Sequence, residues 1–124
     1  MAGILIVEDD KDLREMLRIS LSRKRFTVLE ADNGKEAILH FKPLVTDLVI
    51  TDLIMPEEDG LKVIMKLREM KPDLKIVAIS GGGKAGPGNY LNLAKALGAD
   101  ITVSKPFSVN DLIAKIEVLL NIEQ

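Results

Sequence analysis

The sequence contains no cysteine, which excludes a disulfide framework, a thiolate metal site and a cysteine nucleophile. A chain without disulfides suits a reducing compartment, so we expect the protein in the cytoplasm. Long apolar runs are missing too: the first apolar segment covers only residues 4–7 and leads directly into acids. Such a segment is far shorter than a signal-peptide core or a membrane span. We therefore expect neither export nor a membrane partner.

An excess of positive charge is also missing. The 17 basic and 19 acidic residues leave a formal net charge of −2 at pH 7. Non-specific binding to DNA or RNA rests on clustered positive charge, so we expect no direct nucleic-acid partner. The short basic run at residues 23–25 is expected to end a helix, because cations suit the carboxyl end of the helix dipole.

What the chain has is a regular alternation of strand-like and helix-like segments. Its 124 residues, 47% of them hydrophobic, suffice for one core, and we predict a single domain over residues 1–124. The strand candidates are the short apolar runs at residues 4–7, 26–29, 48–51, 76–79 and 101–103. Asn33 with Glu36 and Ser108 with Asp111 predict helix starts, and Gly98 predicts a helix end.

Apolar residues at helical spacing mark one face of each predicted helix. These stripes are Leu13, Met16, Leu17 and Leu21; Leu61, Ile64 and Met65; Tyr90, Leu93, Ala94 and Leu97; Leu112, Ile113, Ile116 and Leu120; and, more weakly, Ala37, Ile38 and Phe41. Nearly continuous apolar strands joined by helices predict a parallel sheet covered on both faces. With right-handed crossovers, the simplest topology is an α/β fold: a doubly wound (βα)5 sheet of five parallel strands in the flavodoxin-like order 2-1-3-4-5.

Polar residues follow the predicted strands at their carboxyl ends, which is where open parallel sheets bind ligands. Glu8 and Asp9 follow the first strand, Asp52 follows the third, Ser80 the fourth and Lys105 the fifth. In the order 2-1-3-4-5 the first and third strands are neighbours, so the three acids should converge. The serine and the lysine should approach them from the other side.

A cluster of carboxylates suits a hard cation, because the acids otherwise repel one another and raise one another's pKa values. Mg2+ takes oxygen ligands, needs only one or two carboxylates and keeps positions open for water and phosphate oxygens. Aspartate carboxylates are known nucleophiles towards phosphoryl groups. The pattern therefore predicts Mg2+ as the cofactor and Asp52 as the phosphoryl acceptor. Lys105 and Ser80 would stabilise the oxygens of the transferred group.

Over essentially its whole length the chain resembles the receiver domains of two-component response regulators, especially stand-alone, chemotaxis-regulator-like ones. Five motifs in family order carry the resemblance: residues 4–10 (ILIVEDD), 52–56 (DLIMP) followed by Asp59-Gly60, Ser80-Gly81, Gly98-Ala99-Asp100 and Lys105-Pro106-Phe107. None of them would suffice alone, but the five in register at strand ends are highly specific.

The resemblance implies a metal site and a donor for the phosphoryl group. Glu8 and Asp9 would form the acidic pair, and Asp9, Asp52 and the backbone carbonyl of Ile54 would ligate Mg2+. Asp52 would receive the phosphoryl group from a sensor histidine kinase or a histidine phosphotransferase. The chain would then be no enzyme beyond Mg2+-dependent self-phosphotransfer and autodephosphorylation.

The resemblance also implies roles at the other side of the site. Ser80 would turn inward to a phosphoryl oxygen, Lys105 would pair with it, and the peptide bond from Lys105 to Pro106 would be cis. Gly81 would keep the site open to the phosphodonor.

The chain departs from the family pattern in two places. Thr102 stands where the family usually has an aromatic residue that turns inward on activation. The loop at residues 81–88 contains five glycines and a proline, so we expect it to be mobile and its ordering to replace the aromatic switch. Ile54 and Gly82 offer no side chain that could orient an attacking water, which predicts slow autodephosphorylation.

Each site residue also has a simpler explanation when it is taken alone. Acids at residues 8–10 commonly begin helices, and Asp10 is expected to be such a cap. Asp52 would be an ordinary loop acid, Ser80 a turn residue and Lys105 a solvated lysine. The glycine loop lacks the Ser or Thr of a nucleotide-binding loop. His40 is expected to have a structural role.

The competing functions are a phosphatase and a scaffold. An Asp-nucleophile phosphatase of the haloacid dehalogenase type combines similar groups, but places its nucleophile after the first strand and usually carries a cap domain. A phosphorylation-independent scaffold of receiver fold is disfavoured because every site residue is present. For the leading hypothesis we expect a downstream protein effector. The resemblance implies that a kinase or phosphotransferase docks on the face of the first helix that includes Lys11 and Arg14, together with the loop after Lys105. Whether the chain is a phosphorelay carrier, a diffusible effector or part of a larger regulator stays open.

Overall fold

The computed structural model describes residues 2–55, 58–81 and 87–121. Its strands are β1 (Gly3–Val7), β2 (Thr27–Ala31), β3 (Leu48–Asp52), β4 (Ile54–Met55), β5 (Glu58–Asp59), β6 (Lys75–Ser80) and β7 (Ile101–Ser104). Its helices are α1 (Lys11–Arg23), α2 (Gly34–His40), α3 (Gly60–Met70), α4 (Pro87–Ala96) and α5 (Val109–Leu119). All five predicted strand–helix units are present.

Five of the strands form one parallel sheet in the order β2-β1-β3-β6-β7. This is the predicted order 2-1-3-4-5, because β6 and β7 are the fourth and fifth strands of that sheet. The strands β4 and β5 form a separate antiparallel ladder of two residues each, which was not predicted. Runs as short as these show no periodicity that a sequence pattern could reveal.

The sheet separates two apolar cores, one on each face. Along β1, Leu5 and Val7 belong to the core beneath α2, α3 and α4, while Ile4 and Ile6 belong to the core beneath α1 and α5. Side chains alternate in this way because successive strand residues point to opposite faces. Burying each of these large aliphatic side chains contributes about 1.5–3 kcal/mol. Since both faces are covered, the strand ends are left as the place for a ligand.

The helix ends follow the predicted signals. Asn33 Oδ1 accepts a hydrogen bond from the Glu36 N–H at 2.8 Å, and Ser108 Oγ accepts one from the Asp111 N–H at 3.2 Å. Both bonds satisfy N–H groups that the first turn of a helix leaves without a partner. Gly98 ends α4 with a φ of 97°, a conformation that costs glycine little. The basic run at residues 23–25 spans the end of α1, whose last residue is Arg23, as expected.

The apolar stripes do not coincide fully with the buried residues. Met16, Met65 and Leu93 belong to the predicted stripes, but they are 48%, 49% and 48% exposed. The core-facing residues of α3 are instead Val63, Ile64 and Leu67. The second strand begins at Thr27 rather than at residue 26. Methionine and leucine suit both a helix surface and a core, so the spacing alone could not separate the two positions.

Two predictions fall wholly or mostly outside the described residues: the packing of the Tyr90 side chain, and the mobility of the glycine loop at residues 81–88, of which 82–86 are not described. The loop ends earlier than predicted, because α4 begins at Pro87. His40 lies at the end of α2 and pairs with Glu36, with 3.0 Å between Nε2 and Oε2. Among the described helices, none combines the length and the apolar character that crossing a membrane requires.

Candidate functional site

The candidate site lies at the carboxyl edge of the sheet. β1 and β3 are neighbours and end at Val7 and Asp52, so Glu8 follows directly beside Asp52. On the other side of β3, Ser80 ends β6 opposite Ser104, the residue before Lys105. The Lys105 N–H donates to the Ser80 carbonyl at 2.9 Å. The structure thus brings all five predicted side chains to one edge.

Three carboxylates form the centre of this edge. One oxygen from each of Glu8, Asp9 and Asp52 lies within 4.8 Å of the other two. Glu8 and Asp52 are only 1% and 3% exposed, whereas Asp9 is exposed to solvent. Two buried acids in such proximity are costly to keep charged unless positive charge balances them.

Lys105 supplies part of that balance. Its Nζ donates a hydrogen bond to Asp52 Oδ2 at 2.8 Å and lies 3.2 Å from Glu8 Oε1. Burial alone would lower the pKa of Lys105, but the hydrogen bond and charge of Asp52, together with the charge of Glu8, outweigh it and raise the pKa above its ordinary value. The lysine is therefore a permanent cation at physiological pH. The peptide bond that follows it, to Pro106, is cis, as predicted.

The charge of Lys105 does not fully compensate the acids. Burial, followed by the negative charge of Asp52, raises the pKa of Glu8 from 4.5 to about 7. The hydrogen bond from the Asp10 N–H and the nearby lysine oppose this rise without cancelling it. A glutamate that is half protonated near neutral pH has too few positive neighbours, so the edge is short of cationic charge.

Two buried oxygen atoms at this edge accept no hydrogen bond from any described residue: Glu8 Oε1, although it is within ion-pair range of Lys105, and Ser80 Oγ. Leaving a buried polar atom without a partner costs about 1–3 kcal/mol. Three clustered carboxylates and an unsatisfied hydroxyl match the oxygen-rich surroundings that Mg2+ and a phosphoryl group require. The donor set therefore fits Mg2+.

The backbone fixes the direction of the carboxylates. The Ile54 N–H donates to Asp52 Oδ1 at 3.0 Å, and the Asp10 N–H donates to Glu8 Oε2 at 3.1 Å. Asp52 thus has one oxygen held by the backbone and one held by Lys105. Metal ligation by the Ile54 carbonyl stays a prediction.

Comparison with known proteins identifies the family. Residues 4–117 match the family model of the response regulator receiver domain. The chain belongs to the receiver-domain family. It is 36% identical to the response regulator receiver protein CpdR of Brucella abortus over 121 residues, which cover 97% of this chain and 98% of CpdR.

Two further relatives are similar to this chain over most of its length. The transcriptional regulatory protein ResD of Bacillus subtilis is 35% identical over 94% of this chain, but the match covers only 47% of ResD. The chain thus spans about half the length of that relative. The response regulator TrrA of Thermotoga maritima, solved in complex with Mg2+ and BeF, is 34% identical and superimposes with a TM-score of 0.81 over 96% of this chain and 99% of TrrA. The protein is therefore a receiver domain of a two-component response regulator.

The receiver fold explains why a glycine follows Asp59. A Cβ on Gly60 would lie 2.5 Å from the Leu53 Cα and 2.7 Å from the Asp52 carbonyl oxygen. No side chain fits there, so glycine lets α3 begin directly against the segment that carries Asp52. The sequence motif contains Gly60, but its role depends on this close approach and could not be read from the spacing.

Arg14 is a contact of the receiver site that sequence reasoning missed. It was expected only as part of a docking helix, yet its Nη1 donates to the Glu8 carbonyl at 2.8 Å. Its Nε lies 3.5 Å from Glu30 Oε1 on β2. The spacing of six residues between Glu8 and Arg14 gives no signal for this contact. Asp10, in contrast, is the helix cap it was expected to be, accepting from the N–H groups of Asp12 and Leu13.

Proposed function

We propose that this receiver domain accepts a phosphoryl group on Asp52 from the phosphohistidine of a sensor kinase or histidine phosphotransferase. The observation that carries the proposal is the position of Asp52 between the buried Glu8 and the Lys105 ammonium, with 2.8 Å from Asp52 Oδ2 to Lys105 Nζ. An aspartate required only for packing or capping would not need two charged neighbours in a buried cluster.

The transfer itself demands little covalent chemistry from the protein. A carboxylate oxygen of Asp52 forms a bond to phosphorus while the phosphorus–nitrogen bond of the donor breaks, and the imidazole leaves with the bonding electrons and takes up a proton. Asp52 is suited to this attack because the Ile54 N–H and Lys105 fix the plane of its carboxylate. Such positioning is the main source of catalysis in phosphoryl transfer.

The remaining groups stabilise the transferred oxygens. Lys105 stays charged and can follow a phosphoryl oxygen, and Ser80 Oγ is a buried hydroxyl with no competing partner among the described residues. We propose that Glu8, Asp9, Asp52 and the Ile54 carbonyl hold Mg2+. When bound, Mg2+ would supply the positive charge that this edge lacks and neutralise the phosphoryl oxygens.

The phosphorylated domain would change its affinity for a protein partner. A phosphoryl group adds negative charge and acceptor oxygens, which a two-state element converts into a new surface. The partners are then a histidine phosphodonor and a downstream protein effector rather than nucleic acid or a membrane, and the location is the cytoplasm.

Because Ile54 and Gly82 cannot orient an attacking water, we expect the aspartyl phosphate to be lost slowly. A lifetime of seconds would contradict that expectation.

Intact-mass measurement tests the proposal directly. The purified chain is incubated with Mg2+ and a small acyl phosphate, and we expect a single added phosphoryl group that is absent in Asp52→Asn and in the presence of EDTA. The matched control is Asp59→Asn, which alters a neighbouring exposed acid whose capping bond to the Leu61 N–H asparagine can also make. Phosphorylation of Asp52→Asn to the wild-type level would overturn the assignment.

The same assay separates this function from a phosphatase. An enzyme of the haloacid dehalogenase type would turn over a phosphomonoester continuously, whereas the receiver should stop at one phosphoryl group. The phosphatase is not favoured, because Asp52 ends the third strand in the chain rather than the first.

A further inference from the structure

The outer side of α2 and α3, with the loop that leads into β3, has an apolar surface that the phosphorylation site does not use. Ten large apolar side chains are exposed among the described residues, and half of them lie here: Leu39, Leu44, Val45, Met65 and Met70. These five residues, with Lys42, Lys62 and Lys66, are named the α2–α3 patch. Exposed apolar side chains gathered in one region of a domain mark interaction sites, unlike single scattered ones.

The parts of the patch are held together. α2 packs against α3. At the end of α3, Lys71 Nζ donates to the Pro43 carbonyl at 2.8 Å, which fixes the loop beside the helix. Within this anchored loop Phe41 is buried, whereas Leu44 is 98% and Val45 58% exposed. The two apolar side chains are therefore presented to solvent by a fixed backbone.

The patch is positively charged in a chain whose net charge is negative. Lys42, Lys62 and Lys66 are exposed, and none of them forms an ion pair with another described residue. Glu69 is the single acid within α3. Glu36 on α2 pairs with His40, and Asp47 in the loop accepts a hydrogen bond from the Gly3 N–H. The three lysines therefore outnumber the one acid of these elements that has no such partner among the described residues, and the local positive charge favours an acidic partner.

We propose that the α2–α3 patch binds an acidic amphipathic helix of a partner protein. Lys62 and Lys66 lie one turn apart on α3, so they form a row along the helix that carboxylates on a partner helix can match. The apolar face of that helix would cover the methionines and leucines of the patch. The patch contains no residue of the phosphorylation site, so we expect this docking not to require phosphorylation of Asp52.

A designed peptide tests the surface without knowledge of the natural partner. The probe is a helical peptide of about 18 residues, or five turns, with leucines on one face and glutamates on the other. Titrated into 15N-labelled protein, it should shift the amide signals of residues 39–45 and 62–70. The variant Lys62→Glu/Lys66→Glu should weaken binding about tenfold or more, because attraction becomes repulsion. The variant Leu44→Ser should also weaken it.

Matched controls separate this surface from general charge effects. Lys95→Glu/Lys115→Glu makes the same change of net charge at exposed positions on α4 and α5, and should bind the peptide like the wild type. Asp52→Asn should also bind like the wild type, so failure of the phosphorylation proposal would leave this result intact. Equal losses in both double variants, or amide shifts outside the patch, would overturn the proposal.

Two other binding partners of the patch, if found, would also overturn the proposal. If the chain self-associates in sedimentation measurements and Leu44→Ser restores the monomer, the patch belongs to a second copy of the chain. If vesicles containing phosphatidylglycerol bind through Lys62 and Lys66 while the acidic peptide does not, the surface belongs to a membrane.

Discussion

The two edges of the sheet use acidic residues in opposite ways. At the amino edge, Asp47 accepts a hydrogen bond from the Gly3 N–H and Asp100 accepts one from the Ile76 N–H, both at 2.8 Å. Each of these acids has a backbone N–H as its partner. At the carboxyl edge, an oxygen of Glu8 and one of Asp52 lie within 4.8 Å of each other, and Glu8 Oε1 accepts no hydrogen bond from the residues that the structure describes.

The acids of the amino edge stabilise the fold, whereas those of the carboxyl edge are suited to bind a ligand. Residue type does not distinguish the two groups, since both consist of carboxylates at strand ends. Asp47 and Asp100 are exposed, whereas Glu8 and Asp52 are buried. The two groups also differ in whether the partners of each oxygen already lie within the protein. At the amino edge Asp47 and Asp100 already have backbone partners, whereas at the carboxyl edge the described residues leave Glu8 Oε1 and Ser80 Oγ without a hydrogen-bond donor.

The largest effect should come from removing the cation of the carboxyl edge. Lys105→Met leaves Glu8 and Asp52 buried without their ammonium, which should lower phosphotransfer by about 10²–10³-fold. It should also lower the free energy of unfolding by about 2–3 kcal/mol. Lys71→Met removes a lysine from the amino edge, where the lost contact is a single bond to the Pro43 carbonyl. Phosphotransfer at the wild-type rate in Lys105→Met would show that the edge does not need this charge.

The second effect is the pH dependence of the metal-free protein. The pKa of Glu8 is about 7 in the folded state and 4.5 as its ordinary value, so the folded state binds its proton more tightly. The contribution of Glu8 to the free energy of unfolding is therefore fully present below pH 4.5. This contribution is lost as the pH rises towards 7 and above. The loss should amount to about 1–3 kcal/mol.

Denaturant unfolding in EDTA between about pH 5 and 8 measures this effect against Glu8→Gln. The glutamine variant should lack the decline, and should be the more stable protein at pH 8. Mg2+ should oppose the decline in the wild type, because binding favours the ionised carboxylate. Parallel pH profiles for the two proteins would show that Glu8 titrates normally.

The amino edge should respond in stability alone. Asp100→Ala leaves the Ile76 N–H without its acceptor, and should cost about 1–3 kcal/mol of unfolding free energy. The yield of phosphorylated protein should stay at the wild-type level under conditions where the variant is folded. A thermal melt together with the intact-mass assay checks both parts. Loss of phosphorylation in a folded Asp100→Ala would mean that the two edges are coupled.

Much of this contrast was predictable, because the strand pattern determines which residues share an edge. Alternating β-branched runs placed Glu8, Asp52, Ser80 and Lys105 at strand ends, and the parallel order brought those ends together. The cap residues Asn33 and Ser108 were readable for a similar reason, since capping is a local interaction.

The state of each polar group was not predictable. That no described residue is a hydrogen-bond partner of Ser80 Oγ depends on side-chain directions across three strands. The need for Gly60 comes from a backbone approach between segments, and the exposure of Met65 comes from which face of α3 meets the sheet. Sequence periodicity does not contain this information, because it describes one element at a time.

The smallest expected effect concerns Arg14, which contacts the backbone of a site residue but none of the site carboxylates. Its bond to the Glu8 carbonyl uses no carboxylate of the site, yet it supports the turn that carries Glu8 and Asp9. Arg14→Gln should therefore weaken Mg2+ binding about fivefold, equivalent to about 1 kcal/mol, through a less ordered turn.

Arg18→Gln provides the matched control for Arg14→Gln. Arg18 Nε lies 3.8 Å from Glu30 Oε2, so this arginine shares the ion-pair partner of Arg14 but forms no hydrogen bond with Glu8. Mg2+ titration followed by amide shifts at residues 8–10 should show weaker binding in Arg14→Gln only. Equal weakening in both variants would show that the effect comes from the positive charge of α1. The turn at the end of β1 would then not need Arg14 to stay ordered.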